Sequence, residues 1–231
     1  MEGSADRPRS KPGRKCDEAT HAQRGANILC AALQTFAEKG FAAADVQQIA
    51  DRVGVGKGTI YRQFGNKEEL FLATARHAHE FLVEAVEEAS RDVECPLEKM
   101  RSAMYAFLSF FDEHPEVVEL LIQERAHFRG IQKPTFFENR QDKQDQWAEV
   151  FRQMIARGVM RDLPIPRIEE AITKFLFGIM FVNYFAGRER PLAQQCDEIF
   201  DVLFHGLLTA ACSEPAVKPS RNRKRNRRER T

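Results

Sequence analysis

The stretch Val46–Phe64, VQQIADRVGVGKGTIYRQF, predicts two short helices joined by a tight turn. Apolar residues recur at the i, i+3, i+4, i+7 spacing of one buried helix face, at Val46, Ile49, Ala50 and Val53. Gly54 permits the positive φ that a sharp turn between helices requires. The second short helix, about Lys57–Phe64, offers Ile60 and Phe64 to the same apolar core. Two helices in this arrangement are typical of a helix-turn-helix, whose second helix enters the major groove of DNA.

The residues left outside this apolar pattern are of types that bind nucleic acid. Phosphate oxygens are within reach of Lys57, Thr59, Tyr61 and Arg62, while Gln47 and Gln63 can read base edges. A pair of packed helices that binds no ligand is the alternative interpretation of the same stretch. The stretch does not match a phosphate-binding loop, because that motif needs glycine where Asp51 stands and Ser or Thr where Gly58 stands.

The rest of the chain also has helical periodicity, with no alternating run long enough for a sheet. Prolines fall between the predicted helices or in their first turns, where they are tolerated. The sequence therefore predicts an all-α fold. The predicted helices are 23–39, 46–53 with Asp45 as its cap, 57–64, 67–90, 97–112, 116–128, 139–157, 166–187 and 192–212.

The motif resembles that of the TetR family of transcriptional repressors. The family pattern is matched by Ile49-Ala50, Gly54-Val55, Lys57-Gly58-Thr59-Ile60-Tyr61, Phe64 and Lys67-Glu68-Glu69-Leu70. The match covers roughly Arg24–Leu72 almost without gaps, and the later helices fit the family in number and length. The resemblance implies a three-helix DNA-binding domain followed by a larger helical domain that binds an effector and dimerises.

The resemblance also implies roles for single residues. Lys57, Gly58 and Thr59 would lie against bases and phosphate at the start of the recognition helix, and Tyr61 and Arg62 would hold the DNA backbone. The ammonium of Lys67 would bind a further phosphate at the positive end of the next helix. Two positions depart from the family: Asp45 and Gly56 stand where hydroxyl residues are frequent, so contacts from those hydroxyls are lost.

Charge is distributed unevenly along the chain although the net charge is only +1. We predict four segments: a disordered basic arm (1–20), the helix-turn-helix domain (21–67), the helical effector-binding and dimerisation domain (68–212) and a disordered basic tail (213–231). The tail carries a net +6 and the segment 68–212 a net −9. DNA should therefore meet the first domain. The tail is either a solvated extension or a second, sequence-independent DNA contact.

The helical body has many phenylalanines, which build either an ordinary core or the lining of an effector pocket. The family resemblance favours a pocket for a small apolar effector, lined by Phe107, Phe111, Phe128, Phe151, Phe177 and Phe181. The last two helices also have apolar faces. We expect two copies to pair there through Phe175, Ile179, Ile199, Leu203 and Leu207.

Other function classes find little support in the sequence. The five cysteines include no CxxC pair, which argues against a disulfide framework or a zinc site. His77 and His79 lie on different faces of one helix, so they are poorly placed to share a metal. No catalytic residues stand out, and no cofactor, signal peptide or membrane-spanning segment is expected. We predict a cytoplasmic homodimer that is not an enzyme and that represses transcription from a palindromic operator until an effector binds. An activator could use the same parts.

Overall fold

The structure is a computed structural model that describes residues 14–128, 130, 134–137 and 141–206, and all regular secondary structure in those ranges is helical. In chain order the helices are α1 (Arg14–Ala43), α2 (Val46–Val53), α3 (Lys57–Phe64), α4 (Lys67–Ser90), α5 (Pro96–Glu113), α6 (Pro115–His127), α7 (Gln141–Ala156), α8 (Ile165–Ala186) and α9 (Leu192–His205). A short 3-10 helix, Thr135–Phe137, lies between α6 and α7. The all-α prediction is confirmed, and none of the described helices is both long and apolar enough to cross a membrane.

Helix boundaries lie within about two residues of the predicted ones, with three exceptions. Helix α1 continues past the stop predicted at Gly40 and ends at Ala43. The other two are the start of α1 and the end of α9. Helix α1 begins at Arg14, inside the segment predicted as a disordered arm. Its start follows the last Pro-Gly pair, and good helix formers such as Lys, Glu, Ala and Gln dominate from there. Helix α9 ends at His205, because Gly206 takes a φ of 80°. The predicted continuation to 212, including Leu207, lies outside the described residues.

The buried apolar residues form two clusters. The N-terminal core contains Ile28, Ile49 and Ile60, which bring α1, α2 and α3 together. It also takes Leu70, Phe71 and Ala75 from α4 and Leu120 from α6, beyond the predicted domain boundary at 67. A unit of only about fifty residues buries little surface by itself, so the core needs these additional side chains.

The second cluster is the core of the body, built by α4 to α9. Its centre is aromatic: the ring centroids of Phe107 and Phe111 are 5.1 Å apart, and Phe177 lies 5.3 Å from Phe107. Met154 and Met180 belong to the same buried cluster, with 1% and 2% of their surfaces exposed. This core is a continuous apolar mass beneath the two last helices.

Candidate nucleic-acid interface

Helix α2 is capped at both ends, and its C-terminal cap forms the turn that leads to α3. The Asp45 carboxylate caps α2 by accepting a hydrogen bond from the Gln47 backbone N–H at 2.9 Å. Gly54 ends α2 with a φ of 72°, and its N–H donates to the carbonyls of Ala50 and Asp51. The Val55 N–H then donates to the Ala50 carbonyl at 3.0 Å. These bonds set the angle at which α3 leaves the turn.

Helix α3 presents its polar side outward because Ile60 is fully buried in the N-terminal core. Gln47, Gly58, Tyr61 and Arg62 are exposed. Lys57, Thr59, Gln63 and Lys67 are partly exposed. The side chain of Tyr61 has 38% of its surface accessible despite its size. The predicted contact residues of α3 are thus available to a ligand on one side of the N-terminal unit.

Two glycines on this side are not required by the fold. A Cβ added at Gly56 or Gly58 would meet no atom within 4 Å, and neither residue has a positive φ. Gly56 is the N-cap of α3, whereas Gly58 lies inside the helix, where glycine usually lowers stability relative to alanine. Space at the start of α3 therefore suits a ligand that approaches the backbone closely.

A groove beside α3 contains further polar residues that the α2–α3 sequence pattern does not include. Arg24 and Asn27 of α1 line it together with Gly56, Thr59 and Arg62. Both α1 residues are exposed. They belong to a different helix, about thirty residues earlier, and no local pattern relates them to the α2–α3 motif. Arg24 brings a second guanidinium to the same side as Arg62.

Lys57 is held by an ion pair within this interface. Its ammonium lies 2.8 Å from the Asp45 carboxylate and 5.9 Å from the centre of the Tyr61 ring. The hydrogen bond from the Gln47 N–H, then the bond from Lys57, lower the pKa of Asp45. The same bond to Asp45 raises the pKa of Lys57. Asp45 thus does more than cap α2, since it also occupies the cation that the sequence assigns to DNA.

Lys67, at the start of α4, is anchored differently. Its ammonium donates to the Ala42 carbonyl at 3.1 Å and lies 5.0 Å from the centre of the Phe41 ring. Partial burial lowers the pKa of Lys67. Both anchoring groups come from the end of α1, so that segment determines where the ammonium sits.

The two glutamines predicted to read bases are placed in different ways. Gln47 is exposed and its amide donates to the Asp51 carboxylate at 2.7 Å, a surface contact that is readily exchanged. The amide nitrogen of Gln63 instead points at α1, only 2.6 Å from where a Cβ on Gly25 would lie. Gln63 therefore packs against α1, and of the two glutamines Gln47 is the one directed to solvent.

The six phenylalanines predicted to line an effector pocket do not stay together. Phe107, Phe111 and Phe177 contact one another, and Phe151 is buried in the same core. The ring of Phe181 stacks on that of Phe185, at 6.1 Å. Phe128 lies in the N-terminal core instead, with its ring 5.1 Å from Phe41 and 5.3 Å from Phe71. Phe128 is placed there because α6 reaches under the N-terminal unit.

Helices α8 and α9 carry large apolar side chains on the surface. Val182 and Phe185 are 63% and 70% exposed, and Val202 is 38% exposed. The predicted interface residues Phe175, Ile179, Ile199 and Leu203 are half-buried beside them. Phe175, Ile179 and Val182 follow the i, i+4, i+7 spacing of one helix face. We define Phe175, Ile179, Val182, Phe185, Ile199 and Val202 as the α8–α9 face.

No local sequence pattern predicts the contact between α6 and α1. The side-chain amide of Gln123 donates to the Phe36 carbonyl at 2.9 Å and accepts from the Phe41 N–H at 2.8 Å. More than eighty residues separate these partners along the chain. A glutamine in an amphipathic helix is ordinarily a surface residue, so only the three-dimensional structure identifies this contact.

The two histidines considered for a metal pack against different rings. His77 lies 4.3 Å from the ring centre of Phe81, and His79 lies 4.9 Å from that of Phe136. The described residues contain no group of three His, Cys, Asp or Glu side chains placed to hold a metal ion.

Solved structures with the same fold are regulators. The fatty acid degradation regulator FadR from Bacillus halodurans superposes with a TM-score of 0.69, at 18% identity, covering 86% of this chain and 98% of that one. FadR from Bacillus subtilis in complex with stearoyl-CoA gives a TM-score of 0.66, at 19% identity, covering 79% of this chain and 98% of that one. At these identities the likeness concerns the fold.

Curated relatives are similar over shorter stretches. The transcriptional activator FasR of Mycolicibacterium smegmatis is 33% identical over 44% of this chain and 46% of its own length. The transcriptional repressor KstR2 of Mycobacterium tuberculosis is 27% identical over 60% of this chain and 70% of its own. The chain thus spans about half the length of FasR, and of the Pseudomonas putida repressor NicS it spans 48%.

Two family models match the chain in the order expected of one protein family. The model of bacterial regulatory proteins of the tetR family matches residues 28–74, which include α2 and α3. The model of the tetracyclin repressor-like C-terminal domain matches residues 93–180. Together the two matches take in more than half of the 231 residues. The chain belongs to the TetR family of bacterial regulatory proteins.

Proposed function

We propose that this protein is a transcriptional regulator that binds a palindromic DNA operator as a homodimer and leaves it when a small apolar effector binds. Residues 21–67 would read the operator, and 68–212 would bind the effector and dimerise. The protein would act in the cytoplasm, with repression as the direction of control. FasR is a transcriptional activator, and activation would need the same DNA contacts.

One observation carries the DNA-binding part of this proposal: α3 exposes a polar surface although its other side is buried. Tyr61 and Arg62 are exposed, and the backbone at Gly58 is open to close approach. Lys57 and Lys67 supply cations at either end of α3. Backbone contacts of this kind position a protein on DNA, and Gln47 supplies a base-reading side chain.

The α8–α9 face supports the homodimer. Isolated apolar residues are normal on a surface, but a contiguous apolar strip marks a contact with another molecule. A symmetric pair uses the same patch on both copies. It would present two α3 helices to half-sites about one turn of DNA apart or slightly more.

The effector is proposed from the aromatic centre of the body. Phe107, Phe111 and Phe177 form an apolar contact region that an acyl chain or a flat ring could enter by displacing side chains. FadR from Bacillus subtilis, which shares the fold, was solved with stearoyl-CoA. The acidic body disfavours an anionic group unless a local cation meets it. An effector that binds preferentially to a dimer conformation in which the two α3 helices no longer match the half-sites would weaken DNA binding by about 1–3 kcal/mol.

Selection of bound sequences from a random DNA pool, combined with sedimentation, tests this function. We expect a dimer at micromolar concentration and an enriched palindrome. A stable monomer that enriches no sequence would refute the proposal. Stearoyl-CoA and a long-chain fatty acid, added to the selected complex, then distinguish an acyl effector from one of another class.

Substitution of the backbone-contact residues tests the assignment at residue level. Lys67→Ala and Tyr61→Phe should weaken binding by similar factors on the operator and on its variants. Lys67→Ala should also reduce the salt slope by about one, since one phosphate contact is lost. A change in the preferred base from either substitution would contradict the assignment to the backbone.

A further inference from the structure

Helix α1 is interrupted at Gly40, where φ is 76° and ψ is 156°. A break in a helix leaves backbone donors and acceptors without their usual partners. Gln123 of α6 contacts both sides of this break: it accepts from the Phe41 N–H at 2.8 Å and donates to the Phe36 carbonyl at 2.9 Å. The side chain of Gln123 therefore hydrogen-bonds α6 to both sides of the break, beside the ring contacts that His127 and Phe128 make with Phe41.

The segment held by Gln123 is also the one that anchors Lys67. The Phe41 ring lies 5.0 Å from the Lys67 ammonium, and the neighbouring Ala42 carbonyl accepts its hydrogen bond at 3.1 Å. On its other sides the Phe41 ring contacts Phe71 and Phe128, at 5.3 Å and 5.1 Å. Any displacement of Phe41 relative to α4 would change the two contacts that fix the lysine.

Helix α6 is tied to the body on both sides of Gln123. Glu119, one turn earlier, accepts a hydrogen bond from the Tyr184 hydroxyl of α8. That bond, followed by burial, raises the pKa of Tyr184 to about 12, so the phenol keeps its proton at neutral pH. Glu124, which is 1% exposed, accepts from the Thr135 N–H and hydroxyl at 2.8 Å and 2.7 Å. Movement of α8 or of Thr135 would thus act on the turn that carries Gln123.

We infer that Gln123 is a positioning residue for DNA binding: it transmits the position of α6 through Phe41 and Ala42 to the ammonium of Lys67. This inference rests on the proposed function. It assigns to one hydrogen-bonded side chain the step between the body and a phosphate contact. Neither Gln123 nor Phe41 needs to touch DNA or effector for this role.

A double-mutant cycle in the full-length protein tests the inference. Gln123→Met keeps the length of the side chain and removes both hydrogen bonds, and it is combined with Lys67→Ala. Binding to a random-sequence duplex is measured against salt, so the operator need not be known. We expect Gln123→Met to weaken binding about three- to tenfold in the wild-type background and to have almost no further effect once Lys67 is alanine.

The control cycle pairs Gln123→Met with Tyr61→Phe, whose side chain lies on α3 and is not held by the end of α1. There the two effects should multiply. The inference would be overturned if the effects of Gln123→Met and Lys67→Ala were independent. It would also be overturned if Tyr61→Phe abolished the effect of Gln123→Met as fully as Lys67→Ala does. If the wild-type protein binds no duplex, the proposed function itself fails, which is a different result.

A measurement without DNA guards against a purely structural loss. After reductive ¹³C-methylation, the Lys67 resonance should be displaced by the Phe41 ring in the wild-type protein. In Gln123→Met it should move toward the position of a solvated lysine, while circular dichroism shows the helices intact. An unchanged Lys67 resonance in a folded variant would show that Gln123 does not position the lysine.

Discussion

Two exposed surfaces of this molecule have opposite chemistry. The outer side of α3 presents Tyr61 and Arg62, and it has a glycine at position 58 where the fold requires none. The α8–α9 face presents Val182 and Phe185, more exposed than any other large apolar side chains among the described residues. Both surfaces are unusual for an exposed surface. The first leaves the helix backbone accessible at Gly58, and the second exposes large apolar side chains to water.

The difference in chemistry indicates which kind of partner each surface would bind favourably. Cations and an accessible backbone gain free energy from a polyanion that approaches closely and releases its counterions. Apolar side chains gain it from a second apolar surface that removes both from water. Substitutions on the outer side of α3 should therefore change DNA binding directly. Substitutions on the α8–α9 face should change dimerisation directly and DNA binding only as a consequence.

Val182→Glu should have the largest effect of the substitutions considered. A carboxylate without a partner in an apolar contact costs several kcal/mol, so we expect a monomer and a loss of operator affinity of at least about a hundredfold. Sedimentation and DNA titration measure the two effects. The control is Val159→Glu, because Val159 is also an exposed valine, at 57%, but lies outside the α8–α9 face.

Should Val159→Glu dissociate the protein as strongly, the effect would reflect added charge rather than the face. Retention of a dimer by Val182→Glu would place the interface elsewhere.

Gln47→Ala should have the next largest effect, confined to one position of the operator. A bidentate contact to a base discriminates by about 1–3 kcal/mol. Repeating the selection with the variant should relax the preference at that base pair and leave the others. A uniform loss of affinity, with every base preference unchanged, would show that Gln47 contacts the backbone instead.

Asp45→Asn should strengthen binding to random-sequence DNA, by about three- to tenfold at low salt. Asparagine still caps α2, so the fold is kept, whereas Lys57 loses the ion pair at 2.8 Å and becomes free for a phosphate. The salt slope should become steeper by up to about one. Fluorescence anisotropy over a salt series measures both quantities.

Asp51→Asn is the matched control for Asp45, since it removes the same charge from the same end of the molecule. The Asp51 carboxylate accepts a hydrogen bond from the Gln47 side chain and, within the described part of the chain, forms no ion pair with a lysine. Equal gains from the two variants would mean that general charge, and not the release of Lys57, accounts for the effect.

Gly58→Ala should have the smallest effect on the free protein and an opposite effect on DNA binding. Alanine in a helix is favoured over glycine by up to about 1 kcal/mol, and a Cβ at this position meets no atom within 4 Å. We expect a higher melting temperature together with weaker DNA binding, because the methyl group fills the space left for DNA. Unchanged DNA affinity in the stabilised variant would show that this space is not used.

Local patterns predicted most of the fold and the exposed side of α3 that forms the candidate interface. The α2–α3 motif was predicted to the residue because its glycine turn, its cap at Asp45 and its apolar face all lie within about twenty residues. Proline and glycine likewise marked the later helix ends. Contacts between distant segments were not predictable: nothing near Phe128 indicates that it packs on Phe41, and nothing near Gln63 indicates Gly25.

The participation of α6 in the N-terminal core has a consequence for engineering. A fragment cut after α4 would expose the surface that Leu120 and Phe128 now cover and would leave the break at Gly40 without Gln123. A chimera that joins this helix-turn-helix domain to another effector-binding domain would therefore have to include the end of α6, residues 120–128. Chimeras joined at position 67 should be poorly folded. Chimeras that retain both the N-terminal unit and residues 120–128 should keep their DNA preference and respond to the effector of the other protein.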